Sequence, residues 1–291
     1  PRTDCCLSLA WSAQRRNFTM NPKLAAVQLS SGDDVAANCR CAERLLAVAA
    51  SQGAQLAVLP ENFAGLSADP SQRVRMAERD GDGPVQAAMA AAARRHGLWL
   101  VAGTLPIVSD EPTRPFAACC VYDPDGTRVA RYDKIHLFDV GVPNSAERYR
   151  ESANTTAGGA TVAFDSPFGR IGIGVCYDLR FPELFRALGA DGMDILTLPA
   201  AFTRPTGEAH WQTLLQARAI ENLCTVVAAA QTGEHPGGRT TWGHSMIIDP
   251  WGAVVAERAA GEGVAVAEHD AVHQAALRER FPVHAHRRLP D

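Results

Sequence analysis

Short apolar runs alternate with segments of helical periodicity along most of the chain. The predicted strands are residues 24–29, 56–59, 98–103, 171–175, 195–198 and 225–229. The segments with the 3.6-residue apolar period of helices are residues 35–50, 85–95, 182–188, 208–221 and 272–280. Two hairpins with Gly-containing turns are predicted over residues 116–131 and 246–257. This alternation of strands and helices predicts an α/β fold.

The two halves of the chain resemble each other. Residues 53–60 (GAQLAVLP) and 192–199 (GMDILTLP) share a glycine, an apolar run and a final proline, and Phe63 and Phe202 follow at the same distance. Each half later carries a hairpin whose turn has the form Asp-Pro-x-Gly. This repetition predicts a duplicated unit that folds as two like layers rather than as two independent domains.

Composition and charge narrow the class of protein. Of the 291 residues, 46% are hydrophobic and 21% are charged, which excludes disordered and fibrous chains. The net charge of −4 argues against nucleic acid as a partner. No uninterrupted apolar run reaches the roughly 18 residues that span a bilayer, so we expect no membrane partner.

The cysteines indicate a reducing compartment. Six of the eight fall in close pairs, at positions 5 and 6, 39 and 41, and 119 and 120, and none forms a C-x-x-C motif. Such neighbours do not make a disulfide framework. We therefore expect free thiols and a cytoplasmic protein.

The first twenty residues differ from the rest of the chain. They carry Arg2, Arg15 and Arg16 around an apolar stretch that is too short for a secretory signal. We expect residues 1–20 to be a poorly ordered N-terminal extension, upstream of a natural start at Met20. One domain over residues 21–287 and a C-terminal tail over residues 288–291 would follow.

A cysteine lies at a predicted junction between a strand and a helix. The apolar run 171–175 ends at Cys176, and Pro182 suits the first turn of the following helix. Gly172 and Gly174 would permit close backbone approach. Helix-end dipoles and free N–H groups at such a turn favour a thiolate and stabilise an oxyanion. Taken alone, Cys176 would more commonly be a buried and inert cysteine.

Two charged residues also follow predicted strands. Glu61 comes shortly after the run 56–59, at the carboxyl end of a strand, where open α/β sheets bind ligands. Lys134 is one of only two lysines among 28 basic residues and follows the second strand of the first hairpin. Together with Cys176 they supply a general base, a donor for a developing oxyanion and a nucleophile.

These residues lie in motifs that resemble those of the nitrilase superfamily of carbon–nitrogen hydrolases. The motifs are LPEN around Glu61, YDKIHLFD around Lys134 and GVCYDLRFPEL around Cys176, and the similarity covers residues 23–287. The resemblance implies a four-layer α-β-β-α sandwich with internal pseudo-two-fold duplication, and a homodimer or higher homo-oligomer. It implies that Glu61 is the general base, Lys134 the stabiliser of the tetrahedral intermediate and Cys176 the nucleophile. Glu151, in the motif RES, would hold Lys134.

Further motifs resemble the branch that hydrolyses deaminated glutathione, which is related to the ω-amidases. They are CYDLRFPEL, PAAFT at residues 199–203, TGEAHW at residues 206–211 and GHSM at residues 243–246. The resemblance implies hydrolysis of the non-peptide amide bond of a small carboxylated substrate, deaminated glutathione first, with α-ketoglutaramate or another short linear amide as the alternative. It implies a thioester intermediate, an oxyanion contact from the Tyr177 N–H, and substrate contacts from Arg180, Phe202 and Thr203. It implies neither a metal nor a cofactor.

Two other classes of function stay open at this point. In a Cys–His thiol hydrolase, His136 or His244 would activate Cys176. A non-catalytic binding protein could share the same fold. The pH profile of a variant with alanine at both His136 and His244 would separate these mechanisms, because a glutamate-driven reaction should survive both changes.

A metal site is a further alternative. His269 and His273 are spaced four residues apart, as on one face of a helix, and His284 and His286 lie close together. Neither pair has a third ligand at a suitable spacing. We therefore expect a solvated helix face and no metal.

Overall fold

The computed structural model describes residues 21–143 and 147–288. The predicted extension over residues 1–20, and residues 289–291 of the predicted tail, lie outside the described residues. The strands are β1 (Lys23–Gln28), β2 (Ala54–Val58), β3 (Trp99–Ile107), β4 (Phe116–Tyr122), β5 (Arg128–Asp133), β6 (Asp139–Gly141), β7 (Arg148–Arg150), β8 (Ala163–Ser166), β9 (Gly169–Ile173), β10 (Ile195–Ala200), β11 (Thr225–Ala230), β12 (Thr232–Glu234), β13 (Thr240–Trp242), β14 (Ser245–Ile248), β15 (Val254–Arg258) and β16 (Gly263–Glu268).

Helices of very different length connect these strands. They are α1 (Val35–Ser51), α2 (Ser71–Arg75), α3 (Pro84–His96), α4 (Pro182–Ala190), α5 (Arg204–Asn222) and α6 (Ala271–Arg280). Short 3₁₀-helices cover Glu151–Ala153, Cys176–Arg180 and Pro236–Gly238. Within the described ranges, no helix is both long enough and apolar enough to cross a membrane.

Two six-stranded sheets carry the duplication that the sequence predicts. Their strand orders are β16-β1-β2-β3-β4-β5 and β15-β14-β11-β10-β9-β8. The series β1 to β5 therefore corresponds to β9, β10, β11, β14 and β15. In both sheets the first three strands of this series are parallel, and an antiparallel strand, β16 or β8, lies beside the first. The predicted duplicated α/β sandwich is confirmed.

The alternation of side chains along β1 shows how the layers pack. Leu24 and Ala26 belong to the core that includes the second sheet, whereas Ala25 and Val27 pack with α1 and α3. Successive side chains of a strand point to opposite faces, so a run that is apolar throughout is buried on both sides. The first sheet therefore lies between a helical layer and the second sheet.

Helix α1 illustrates how the sequence forms an outer layer. Its N-cap is Asp34, one of the two residues suited to that place, and the carboxylate accepts a hydrogen bond of 2.9 Å from the Ala37 N–H. Its buried positions include Ala42, Leu45, Leu46 and Ala49, a spacing that places them on one face. Full burial of one leucine side chain contributes about 1.5–3 kcal/mol.

Several elements were not predicted from periodicity. The edge strands β8 and β16, the hairpins β6–β7 and β12–β13, and helix α2 are only three to six residues long. So few residues carry little periodic signal. Helix α5 also begins at Arg204 rather than at the predicted residue 208, because Pro205 suits a first helical turn.

Candidate active site

The four predicted catalytic residues line one cleft with a volume of about 210 Å³. Glu61 lies three residues beyond β2, and Lys134 directly follows β5. Cys176 begins a 3₁₀-helix after β9, and Glu151 begins another after β7. The ends of strands from both sheets thus bring together residues that are far apart in the sequence.

Lys134 lies between two carboxylates. Its Nζ donates hydrogen bonds of 2.8 Å to Glu61 Oε1 and 2.8 Å to Glu151 Oε2. The Lys134 side chain is only 1% exposed. Burial acts to lower the pKa of Lys134, but the charges of Glu151 and Glu61 outweigh it and hold this pKa well above its ordinary value. The ammonium therefore keeps its proton throughout the physiological range.

Glu151 is fixed as an anion by the same arrangement. Its Oε2 also accepts a hydrogen bond of 2.7 Å from the Phe138 N–H. Burial acts to raise the pKa of Glu151, but Lys134, the more distant Arg73 and these hydrogen bonds lower it below its ordinary value. Glu151 thus orients the ammonium without taking its proton.

Cys176 lies on a strained turn. Its φ of +49° is in the left-handed region, which costs a residue with a side chain of this kind on the order of 1–3 kcal/mol. Gly174 precedes the turn, and a Cβ there would lie 2.9 Å from the ring of Phe185 on α4. Glycine therefore lets α4 pack closely enough to support the turn.

The surroundings of the Cys176 thiol favour its protonated form. Burial and the charge of Glu61 raise the pKa of Cys176 well above its ordinary value, against the opposing influence of Lys134 and of the Ala201 N–H. The direction of this pKa shift is opposite to the one expected from the sequence, which was a stabilised thiolate. Desolvation and a neighbouring carboxylate outweigh the helix-end dipoles on which that expectation rested.

Asp178 ties the lysine segment to the cysteine turn, and sequence reasoning missed it. This fully buried carboxylate accepts hydrogen bonds from Tyr132 Oη at 2.7 Å and from the Val175 N–H at 2.8 Å. Its other oxygen accepts one from the His136 N–H at 3.1 Å and lies 2.7 Å from His136 Nδ1. The one available signal was an acidic residue two positions after the cysteine.

The predicted substrate contacts divide into two groups. Phe202 and Tyr177 line the cleft, together with other aromatic side chains. Arg180 does not belong to this lining: its guanidinium lies over the Phe202 ring at 5.4 Å, and its Nη1 is 3.3 Å from His210 Nδ1. Thr203 is buried as the N-cap of α5, and Thr206 in the first turn of that helix lines the cleft instead.

The two candidate histidine bases lie outside the described lining of the cleft. His136 is held by Asp178 and stacks on Phe181 with ring centroids 3.7 Å apart. His244 Nδ1 lies 2.6 Å from a carboxylate oxygen of Glu257. The geometry therefore places Glu61, not a histidine, beside the thiol.

The histidine pairs considered for a metal do not form a cluster. His269 is buried with Nδ1 at 2.9 Å from Thr225 Oγ1, whereas His273 is exposed on α6. His284 Nε2 lies 2.9 Å from the backbone oxygen of Asn222. Over residues 21–143 and 147–288, no three or more His, Cys, Asp or Glu side chains are grouped so that they could hold a metal ion.

Comparison with known proteins identifies the family. Residues 23–279 match the family model described as carbon-nitrogen hydrolase. A deaminated glutathione amidase of Yersinia enterocolitica is 42% identical over 270 residues, covering 92% of this chain and 94% of that protein. The crystal structure of the C. elegans NitFhit protein gives a TM-score of 0.86 at 38% identity, covering 92% of this chain and 66% of that chain.

A second solved structure extends the comparison. Saccharomyces cerevisiae Nit3, a member of branch 10 of the nitrilase superfamily, gives a TM-score of 0.80 at 28% identity, covering 90% of this chain and 95% of that chain. The resemblance found in the motifs around Glu61, Lys134 and Cys176 is thereby confirmed. The chain belongs to the carbon-nitrogen hydrolase family, in the nitrilase superfamily, and is a hydrolase of non-peptide carbon–nitrogen bonds.

Proposed function

We propose that this amidase hydrolyses a small carboxylated amide through a thioester on Cys176, with deaminated glutathione as the first candidate substrate. The observation that carries the proposal is the Lys134 ammonium, 2.8 Å from both Glu61 and Glu151 in the cleft that Cys176 lines. The relatives named deaminated glutathione amidase support the substrate. The short amide α-ketoglutaramate is the second candidate, because a cleft of about 210 Å³ is small for a ligand site.

In the first step, the Cys176 sulfur attacks the amide carbonyl carbon while Glu61 takes the thiol proton. Because the raised pKa of Cys176 disfavours a thiolate before the attack, transfer of the thiol proton to Glu61 accompanies the attack of sulfur on the carbonyl carbon. The carbonyl π electrons move to oxygen, and the oxyanion accepts hydrogen bonds from Lys134 Nζ and the Tyr177 N–H. Loss of one such donor typically lowers kcat by about 10²–10³-fold.

The intermediate then collapses. The carbon–nitrogen bond breaks as Glu61 gives its proton to the departing nitrogen. The nitrogen leaves as ammonia or a primary amine, and the acyl group remains on Cys176 as a thioester. Water attacks the thioester while Glu61 takes its proton, the carbon–sulfur bond breaks, and the sulfur recovers the proton. Glu151 holds Lys134 in place throughout. Each step uses only groups of this chain, the substrate and water, so the mechanism requires neither metal nor cofactor.

The test is release of ammonia or amine from a panel of α-keto-acid amides that includes deaminated glutathione and α-ketoglutaramate. We expect turnover of the purified protein, its loss in Cys176→Ala, and a covalent acyl adduct on Cys176 detected by mass spectrometry in a Glu61→Gln variant that deacylates slowly. Full activity in Cys176→Ala would exclude the mechanism. A preference for α-ketoglutaramate would replace the first candidate substrate by the second.

We also propose that the enzyme works in the cytoplasm as a homo-oligomer. The six cysteines of the described chain are all free, which suits a reducing compartment. Ile220, Trp251 and Phe281 are large apolar residues with about half of their surface or more exposed, which suits burial against a second copy. Size-exclusion chromatography with light scattering measures the mass of the assembly. A mass equal to that of one chain at micromolar concentration would exclude the homo-oligomer.

A further inference from the structure

Two arginines in the wall of the cleft each have a polar atom without a partner. Arg73 Nη1 lies 3.4 Å from Asn62 Oδ1, and Arg239 Nη2 donates a hydrogen bond of 2.8 Å to the backbone oxygen of Ala201. The Nε of each guanidinium is buried and makes no hydrogen bond within the described chain. A buried donor left unsatisfied is unfavourable, and more so where the group is charged.

Neither arginine has a carboxylate partner, unlike several other arginines of the described chain. Arg75, also on α2, forms an ion pair of 2.8 Å with Asp69, and Arg218 forms one of 2.7 Å with Glu221. Among the described residues, neither Arg73 nor Arg239 has a carboxylate within ion-pair distance. Arg73 feels the charge of Glu151 only at longer range. The cleft therefore holds two guanidinium groups with unused capacity for an anion.

Both arginines are anchored beside the reacting groups. Asn62, the partner of Arg73, directly follows Glu61, and the N–H of Ala201, whose oxygen anchors Arg239, hydrogen-bonds to the sulfur of Cys176. The Arg239 guanidinium also lies over the Tyr149 ring, 5.2 Å from its centroid. A planar guanidinium held in this way loses little conformational entropy when it forms a bidentate pair with a carboxylate.

We propose that Arg73 and Arg239 form the carboxylate-binding pair of the cleft and restrict this amidase to amides whose acyl part carries a carboxylate. The inference rests on the proposed amidase function and deepens it. It assigns to these two residues the contact that the sequence assigned to Arg180. The remaining arginine of the described lining, Arg150, is exposed near the Asp139 carboxylate and lacks this buried setting.

The first experiment compares two substrates with the same five-carbon chain, glutaramic acid, which carries a carboxylate, and valeramide, which does not. In Arg73→Gln and Arg239→Gln we expect KM for glutaramic acid to rise about 10- to 100-fold, with kcat changed little, because one charged hydrogen-bonding partner is lost. The loss of kcat/KM should be about tenfold smaller for valeramide than for glutaramic acid, because only the carboxylate contact differs between the two substrates. Arg73→Lys should rescue glutaramic acid in part, because it keeps the charge but not the planar fork.

Arg79→Gln is the matched control, since Arg79 is an exposed arginine close in sequence that lies outside the cleft. It should leave both substrates at wild-type values. Equal losses of kcat/KM on both substrates in Arg73→Gln would overturn the proposal. So would a rise in KM for glutaramic acid that occurs in Arg180→Gln but in neither Arg73→Gln nor Arg239→Gln.

A second experiment separates this inference from the proposed function, because it does not depend on turnover. Binding of glutarate to the Cys176→Ala protein is measured by calorimetry, alone and combined with Arg73→Gln or Arg239→Gln. We expect glutarate affinity to fall about 10- to 100-fold in the combined variants. Unchanged glutarate affinity in the combined variants would overturn the proposed carboxylate-binding pair, even if the wild type is an active amidase. A wild type that binds glutarate through both arginines but shows no turnover would overturn only the proposed reaction.

Discussion

Replacement of Lys134 by methionine would leave Glu61 and Glu151 facing each other without their common cation. The side chains of the three residues are 1%, 4% and 16% exposed, and both ion pairs are 2.8 Å long, so they fall in the class of buried pairs. Removal of one partner from a buried pair typically costs about 3–5 kcal/mol, since a buried charge is left uncompensated. We expect Lys134→Met to lose about that much stability at pH 8, together with its amidase activity.

The pH dependence of this loss has a definite sign. In the wild type, the pKa of Glu151 is lowered in the folded state, so its contribution to stability is present above its unfolded value and is lost as pH falls. The pKa of Lys134 is raised, so its contribution is lost only at strongly alkaline pH. In Lys134→Met the two carboxyls can share a proton, and the folded state then binds more protons than the unfolded one. The variant should therefore lose stability as pH rises from 5 to 8.

Urea denaturation at pH 5 and pH 8 measures this effect. The double variant Lys134→Met, Glu151→Gln removes the repulsion, and we expect it to regain about 1–3 kcal/mol at pH 8 relative to Lys134→Met. Glu147→Gln, on the same segment but outside the cleft lining, is the matched control and should restore nothing. If the loss were equal at both pH values and the double variant restored nothing, the carboxylates would not depend on Lys134 for charge balance.

Three further outcomes follow from the described contacts. Glu61→Gln should lower amidase kcat by about 10²–10⁴-fold, because it removes the general base. The same variant should speed alkylation of Cys176 by iodoacetamide at pH 8, because it removes a charge that raises the pKa of the thiol. Slower alkylation would contradict this. Asp178→Asn should lower kcat at least tenfold with KM nearly unchanged, since an amide cannot accept all the hydrogen bonds of the carboxylate; wild-type kinetics would show that Asp178 does not position the site. Burial lowers the pKa of His269 to about 4, so its contribution to stability is present above its unfolded value near 6.5 and is lost as pH falls toward 4, a change of about 3 kcal/mol. Urea denaturation at pH 7 and 4.5 should show a smaller pH effect in His269→Gln than in the wild type.

The residues at strand ends were the predictable part of the site. Glu61 and Cys176 each follow a continuous apolar run, and such runs mark buried strands whose carboxyl ends meet ligands. The contacts of Asp178 were not predictable, because its donors come from residues on both sides of Lys134 and from the cysteine turn. Pairing across such separations leaves no periodic trace in the sequence.

The role of Arg180 was expected from the family resemblance, and the local helix type decides where its side chain lies. In an α-helix, a residue four positions after Cys176 lies about 40° from it around the axis and so shares its face. Residues Cys176–Arg180 form a 3₁₀-helix, in which four positions correspond to a rotation about 120° beyond a full turn. Arg180 is therefore directed away from the thiol, and Arg73 and Arg239 come from loop and short-helix segments that periodicity could not place.

Strand β16, the last strand of the described residues, completes the sheet that contains β1. Lys23 pairs with Glu268 and Gln28 with Gly263, and the Gln28 side chain bridges the Ser245 N–H and the Gly261 carbonyl. During synthesis from the amino terminus, the edge of β1 that pairs with β16 stays uncovered until Gly263–Glu268 have left the ribosome. An uncovered strand of this kind is a template for pairing with other nascent chains. The amino-terminal half therefore depends on the carboxyl-terminal half for its catalytic cysteine. It also depends on that half for the strand that protects β1 from aggregation during synthesis.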